Sequence, residues 1–261
     1  MHSKQELKQD LLQLGVREGD CLLVHSSFKS LGGVEGGAEG FFDVLLSLLG
    51  QEGTLVMPTL SYETVFLEEP VRFFQNSTPS CVGYLTEFFR TAVPGVSRSL
   101  HASHSCAVTG KFSQYLIANH EMDTTPVGKN SPFTKLPSLA GKILMLGCNP
   151  DHNTSMHGIE ETIDTQPFID YSKAIPYYLV DDAGTEICRV SYKHNFYREC
   201  GYYEQRYGRI LDCLGYDGLR TAKVLDAKCH LIDSAVLWKT GHDILSKDPY
   251  MFVDWIPYES K

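Results

Sequence analysis

The segment Lys142-Ile-Leu-Met-Leu-Gly-Cys-Asn-Pro-Asp-His-Asn-Thr-Ser-Met-His-Gly-Ile-Glu-Glu161 changes character halfway along, and that change sets the expected architecture. Four apolar residues in succession after Lys142 suit a strand covered on both faces, and Gly147 ends it. Beyond the polar turn, Asn153 or Thr154 caps a helix whose first turns carry His157 and Glu160, three apart and therefore on one face. Ligands on open α/β sheets sit at such strand ends, and a histidine one turn from a carboxylate makes a general base with an orienting partner. The competing reading is a solvated helix, where His and Glu often fall at this spacing by chance. The run Asp151, His152, Asn153 and Thr154 favours a site, because clustered polar groups are costly in a core and unnecessary in a connector.

Upstream, Ser3 and Glu6 read as a capping box, and Leu7, Leu11, Leu12 and Leu14 give an apolar stripe that stops at Gly15. Cys21-Leu-Leu-Val24 reads as a buried strand, Ala38 to about Leu49 as a helix stopped by Gly50, and Thr54-Leu-Val-Met57 as the next strand. A strand, helix, strand unit predicts a parallel pair with a right-handed crossover. The loop His25-Ser-Ser-Phe-Lys-Ser-Leu-Gly-Gly-Val-Glu-Gly-Gly37 combines free glycine amides, the hydroxyls of Ser26, Ser27 and Ser30, and Lys29. Followed by a helix N-terminus, it either cradles an anion or simply turns the chain. It is not a P-loop, since no Gly-Lys-Ser/Thr closes it, and its glycine spacing does not fit a dinucleotide fingerprint.

Thr59 to Ser80, with Tyr62, Phe66, Phe73 and Phe74, reads as a long loop over a pocket. Leu85, Phe88 and Phe89 return to helical spacing, Cys106 to Thr109 is a short strand, Lys111 to His120 a helix, and Ser131-Pro132 opens a short helix ending near Gly141. Tyr177 to Val180 and Glu186 to Val190 flank Asp181-Asp-Ala-Gly184 as a hairpin. Tyr202 to Leu214 and Ser234 to Leu245 read as helices, with a strand between Leu219 and Leu225. No linker or repeat interrupts the pattern, so residues 1–261 are expected to form one α/β domain with a mixed sheet.

Hydrophobic residues at 43% and charged residues at 21% describe an ordinary soluble protein. The run Phe41 to Leu49 is too short for a membrane span and is interrupted by Asp43 and Ser47, and the polar N-terminus is unlike a signal peptide, so a cytoplasmic location is expected. Eight scattered cysteines without a Cys-x-x-Cys pair give neither a disulfide framework nor a zinc ribbon, and most are expected to be small buried hydrophobes. His101 and His104 stand three apart, yet no third ligand has a recognisable spacing, and no metal is expected. The net charge of −9 argues against a nucleic-acid partner and favours a small cationic substrate. Glu63, Glu68, Glu69 and Asp123 either line a polycation pocket or are solvated surface.

Three segments together resemble the aminoglycoside 3-N-acetyltransferase family of acetyl-CoA-dependent antibiotic N-acetyltransferases. They are Val24 to Ala38 leading to Gly53-Thr-Leu-Val-Met-Pro-Thr59; His101 with Ser105, Ala107 and Gly110; and Ser131-Pro-Phe133 with Gly141 to Gly147 leading to Asn153-Thr-Ser-Met-His-Gly-Ile-Glu160. The motifs follow the family order over about residues 5 to 165. The resemblance implies a single-domain α/β/α sandwich with a central mixed sheet, distinct from the GNAT fold. It implies coenzyme A held by Ser26, Ser27, Ser30, Leu31, Gly32 and Gly37, with His101 and Ser105 contributing from the second motif. His157 would be the catalytic base and Glu160 its carboxylate neighbour; by residue chemistry alone, Asn153, Thr154 or the helix N-terminus could donate to the oxyanion that attack on a thioester builds. Ala102 stands where the family has proline, which loosens the turn around His101.

An aminoglycoside 3-amino group is then the implied acceptor, with another amino sugar or a biosynthetic amine as the alternative, and direct transfer without an acyl-enzyme is expected. One rival makes Cys148 or Ser155 a nucleophile served by His152 or His157; another recruits a metal through Asp151, His152 and His157. On a regular helix, residues five apart point about 140° from each other, so those two histidines converge only across an irregular turn. A catalytically inactive coenzyme A binding module is the non-enzyme alternative. The chain acts as a monomer or a homodimer; the sequence leaves both open.

Overall fold

The computed structural model describes residues 1–67, 69–164 and 166–259. The first third contains α1 (Lys4–Leu14), β1 (Cys21–Ser26), α2 (Gly37–Leu49), β2 (Thr54–Pro58), α3 (Tyr62–Val65), β3 (Val71–Phe74) and α4 (Tyr84–Ala92). Next come β4 (Ser97–Arg98), β5 (Cys106–Gly110), α5 (Ser113–Ile117), α6 (Pro132–Lys135), β6 (Lys142–Leu146) and α7 (Ser155–Glu161). The last part holds β7 (Ile169–Val180), β8 (Glu186–His194), β9 (Tyr197–Arg198), β10 (Gly201–Gln205), α8 (Gly215–Gly218), β11 (Leu219–Val224), β12 (Ala227–Asp233), α9 (Ser234–Leu245) and β13 (Val253–Pro257).

Local chemistry explains the first helix. The Ser3 and Glu6 side chains each accept the other's backbone N–H, and Gly15 closes α1 in the left-handed region at φ 118°. Leu7, Leu11 and Leu14 are buried, whereas Leu12 faces outward at 37% exposure.

Seven strands form the main sheet in the order β11-β12-β6-β1-β2-β5-β4. β1 pairs in parallel with both β2 and β6, and the outer neighbours are antiparallel, so the sheet is mixed. Alternation along the central strands splits the core in two. Leu22, Val24, Leu144 and Leu146 pack with α1, α2 and α4 on one face. Leu23, Ile143 and Met145 pack on the other with Met156 and Ile159 of α7, Phe133 of α6 and Leu237 of α9. The result is the expected α/β/α sandwich. Two three-stranded sheets, β3-β7-β8 and β13-β10-β9, stand apart from it.

Four expectations need correction. Thr59 to Ser80 is not a bare loop: α3 lies within it, and β3 joins β7 in parallel, with Val71 and Phe73 buried and Arg72 and Phe74 turned out. Four residues of alternation are too few to stand out in a sequence. The helix expected over Lys111 to His120 shrinks to α5, because Asn119 turns left-handed at φ 60°. Tyr202 to Leu214 is not an α-helix but β10, paired with β13, followed by a 3-10 turn over Tyr207–Cys213. Of the eight cysteines only Cys21, Cys106 and Cys229 are buried; Cys188, Cys200 and Cys213 are exposed.

Gly147 ends β6 at φ 64°, and a Cβ there would lie 2.0 Å from Ser30 Oγ and 2.8 Å from Ala227 Cβ. Gly147→Ala is expected to lower stability by at least ~1–3 kcal/mol, the cost of the left-handed backbone alone. Gly33→Ala, at φ 96° with open space around it, carries the strain without the collision. Urea unfolding of both variants should therefore give Gly147→Ala the lower midpoint.

Candidate active site

The site begins where β1 and β6 end side by side, with His25 opposite Met145 and Ser26 opposite Leu146. Ser27 N–H donates to the Leu146 carbonyl at 2.9 Å, and Ser30 Oγ lies 2.7 Å from the Ser27 carbonyl and 3.0 Å from that of Gly147. The polar loop after β1 is thereby seated on the exit of β6. Two clefts open there. The larger, about 690 Å³, is lined by Asn153, Thr154, His157, His104, His194 and Tyr207 among others. The second, about 600 Å³, runs along Ser26, Ser27, Lys29 and Asn149 to Tyr84 and Leu85 of α4. Both touch Ser26, Cys148 and His152, so they meet.

Asn153 Oδ1 accepts the Ser155 N–H at 3.2 Å, which helps start α7, and Thr154 makes no capping bond. One turn later, His157 Nδ1 and Glu160 Oε2 lie 3.3 Å apart, and the Tyr207 hydroxyl sits 2.9 Å from both. A phenol has one proton to give. Donated to the Glu160 carboxylate, it leaves the phenolic oxygen to accept from Nδ1–H, so the tautomer that satisfies all three groups keeps Nε2 unprotonated. Burial, then the neighbouring Glu160 charge, pushes the Tyr207 phenol far above its ordinary range, and it stays protonated.

Further imidazoles crowd His157. His194 stacks on His157 with centroids 4.2 Å apart, His104 stands edge-on at 6.3 Å, and His101 stacks on His120 at 4.6 Å. Burial, followed by neighbouring imidazoles, pushes His104, His120 and His194 well down; His101 is brought down to about 4, by burial. These four are neutral near pH 7. Tyr207 and His194 escaped the reading of the sequence, since no spacing links them to α7 and the first lay in a segment read as helix.

The expected coenzyme residues separate. Ser26 and Ser27 line the second cleft, and Ser30 ties the loop to Gly147. Leu31 is wholly buried in the core, and Gly32 and Gly37, at φ 79° and 62°, line neither cleft. His101 and Ser105 lie behind the cleft wall, buried and outside both linings. Ser105 Oγ is 2.9 Å from both Arg98 Nε and the Thr59 carbonyl, and Arg98 also holds the Thr59 and Thr78 carbonyls. Ser105 thus steadies the rim segment between β2 and α4.

The acidic candidates do not gather. Asp123 is buried and accepts from Asn130 N–H at 3.0 Å and from its amide at 2.7 Å, while Glu63 and Glu69 are exposed and outside the lining. Glu68 lies outside the described residues. Among the described residues, Asp151 is the one carboxylate in the larger cleft, and it accepts Gly208 N–H at 2.7 Å. Lys193 lines the same cleft with Nζ 3.2 Å from the Phe66 ring centroid. Burial pushes the Cys148 thiol up to about 12, which makes it a poor nucleophile. Ser155 is fully buried and its Oγ bonds to neither His152 nor His157. No group of three or more His, Cys, Asp or Glu side chains is placed to hold a metal ion among the described residues.

The sequence model of the family described as Aminoglycoside 3-N-acetyltransferase matches residues 23–246. A relative in Bacillus subtilis (strain 168), the SPbeta prophage-derived aminoglycoside N(3')-acetyltransferase-like protein YokD, is 29% identical over 92% of this chain and 93% of its own length. The solved structure of AAC-IIIb in binary complex with CoASH superposes with a TM-score of 0.80 at 25% identity, covering 94% of this chain and 97% of that one. Sisomicin-bound AAC-VIa gives a TM-score of 0.78 at 25% identity, covering 94% and 98%.

Tyr207→Phe removes the proton that Glu160 Oε2 receives, in a carboxylate whose Oε1 is buried without a partner. Oε2 then keeps only the 3.3 Å approach of His157 Nδ1, and losing one hydrogen bond to a buried charged group is expected to cost ~1.5–3 kcal/mol. Guanidinium unfolding at pH 7, with circular dichroism to show an unchanged fold, measures the loss.

Proposed function

The chain belongs to the aminoglycoside 3-N-acetyltransferase family, and on that premise we propose that His157 deprotonates an amine in the larger cleft for direct attack on acetyl-CoA reaching in from the second. The activity is acetyl-CoA-dependent N-acetylation of aminoglycosides, on a fold distinct from that of the GNAT enzymes. The observation that carries the assignment of the base is the His157, Tyr207 and Glu160 triangle, which leaves one imidazole nitrogen free on the cleft wall.

An ammonium must lose a proton before its nitrogen can attack. Nε2 of His157 takes it, and Glu160 and Tyr207 accommodate the imidazolium that forms. The N–C bond then forms as the thioester carbonyl becomes tetrahedral. Asn153 supplies a donor for the resulting oxyanion: its Nδ2 is buried in the cleft wall without a partner. Thr154, beside it, is a second donor on the wall. Collapse breaks the C–S bond, the proton on His157 passes to the leaving thiolate, and the freed Nε2 takes the second proton from the newly acylated nitrogen and releases it to water. Ser26 and Ser27 flank the pantetheine arm in the second cleft, with Lys29 toward its phosphates, and Ser30 holds the loop in place. No covalent acetyl-enzyme is needed, in keeping with the raised Cys148 thiol.

The main sandwich and both small sheets contribute to the clefts, which supports treating the chain as one acetyltransferase domain. No helix among the described residues is long and apolar enough to cross a membrane. A cytoplasmic place, where acetyl-CoA is drawn, and a part in antibiotic resistance belong to this reading. A second acceptor class, amino sugars or biosynthetic amines with fewer cations, is favoured by one observation: the described lining of the larger cleft offers a single carboxylate, Asp151, and also carries an ammonium, Lys193.

The decisive experiment follows free thiol release from acetyl-CoA against a panel running from polycationic aminoglycosides to amino sugars with a single amine. His157→Ala is expected to lose ~10²- to 10⁴-fold in kcat while acetyl-CoA binding persists; an unchanged rate would refute the base. Cys148→Ala, and the wild type after chelation, should both keep full activity. Loss in the former would restore the nucleophile reading, and loss in the latter the metal one.

A further inference from the structure

Consecutive carboxylates on α7 face two different imidazoles. Glu160 serves His157 and Tyr207, whereas Glu161 Oε1 lies 3.3 Å from His194 Nε2 and accepts Val127 N–H at 2.9 Å. His157 belongs to a helix packed on the main sheet; His194 is the last residue of β8 in the separate sheet β3-β7-β8. Their rings nevertheless stack at 4.2 Å with 30° between planes. Phe196 leans on both, at 5.8 Å and 5.7 Å, and His104 stands edge-on to both, at 6.3 Å and 5.6 Å.

A ring held only through Nδ1 keeps one freedom: it can rock about the hydrogen bond to Tyr207 and swing Nε2 across the cleft. A flat neighbour parallel to it removes that freedom. We propose that His194 is a positioning residue for the base, its stacked ring fixing the plane in which Nε2 of His157 meets the acceptor amine. The proposal rests on the acetyltransferase reading. The 3.3 Å approach of Glu161 is not a directed hydrogen bond, since His194 Nε2 is left without a partner by the angles, so flatness and contact rather than the ring nitrogens carry the effect. Charge would oppose it: an imidazolium at position 194 would repel the one that forms on His157, and burial keeps His194 neutral. A neutral aromatic face is also the better neighbour for a transient cation.

The test compares His194→Phe, which keeps a flat ring, with His194→Leu, which fills space without one, and with His194→Ala. Steady-state rates are scaled to the folded fraction from circular dichroism. His194→Phe should stay within about threefold of wild-type kcat, whereas His194→Leu and His194→Ala should fall by about 10- to 100-fold, the scale expected for a displaced catalytic group. The KM for acetyl-CoA should hold within about twofold throughout. Imidazole ¹⁵N spectra of His157 give a readout independent of turnover. Wild type and His194→Phe should show the single Nδ1-protonated tautomer, and His194→Leu an average of the two. Wild-type kcat in His194→Leu, or a loss in His194→Phe equal to it, overturns the proposal, as does an unaltered spectrum in His194→Leu. A wild-type enzyme that turns over no amine, with the spectra as expected, would instead defeat the acetyltransferase reading, and with it the role toward an amine, while showing that the stacked ring still fixes the His157 tautomer.

Discussion

The parallel pairing of β1 with β6 is the constraint from which the site follows. Five residue pairs, from Leu22 with Lys142 to Ser26 with Leu146, bring both strands to an end at one edge of the sheet. What each does next is forced into contact: the serine loop leaves β1 and bonds back to Leu146, while Gly147 turns β6 away in a conformation that a side chain would obstruct. One exit opens on the second cleft, and the other leads through Asn149 to Thr154 into the helix that carries His157. Parallel strands that end together, each followed by its own loop, are what bring two clefts together at this edge.

Dry surroundings complete the arrangement. His104 lines the larger cleft beside His157, and His101 and His120 lie behind it, all three neutral because burial outweighs everything else that acts on them. A little further back, Ser105 and Arg98 satisfy the carbonyls of Thr59 and Thr78. In such a medium the hydrogen bond from Tyr207 to Glu160 is stronger than it would be in water. The polar residues between β4 and β5 are therefore better understood as packing that keeps the wall closed than as grips on a cofactor.

How much of this was legible in the sequence depended on distance along the chain. α1 declared itself through its capping box and glycine stop, β6 through four apolar residues in a row, and the β7–β8 hairpin through its turn. His157 and Glu160 were legible for the same reason, since three residues on a helix make one face. Tyr207 was not, because its hydroxyl reaches Glu160 only after the chain has crossed two small sheets. His194 is likewise brought in by tertiary structure alone. The serine loop was half legible: its hydroxyls marked Ser26 and Ser27, but composition did not reveal that Leu31 turns into the core or that Ser30 spends its proton on the chain itself. β10 was mistaken for a helix because five residues with Tyr202 and Tyr203 side by side carry no alternation that would mark a strand.

Among the described residues, the ribbon formed by β7 and β8 is hydrogen-bonded to none of the seven central strands, yet it delivers Tyr177, Tyr192, Lys193 and His194 to the larger cleft. The larger cleft thus draws side chains from a part of the polypeptide that the second cleft does not touch. Substitutions in the ribbon can reshape one cavity while the strand pairing that seats the serine loop stays as it is.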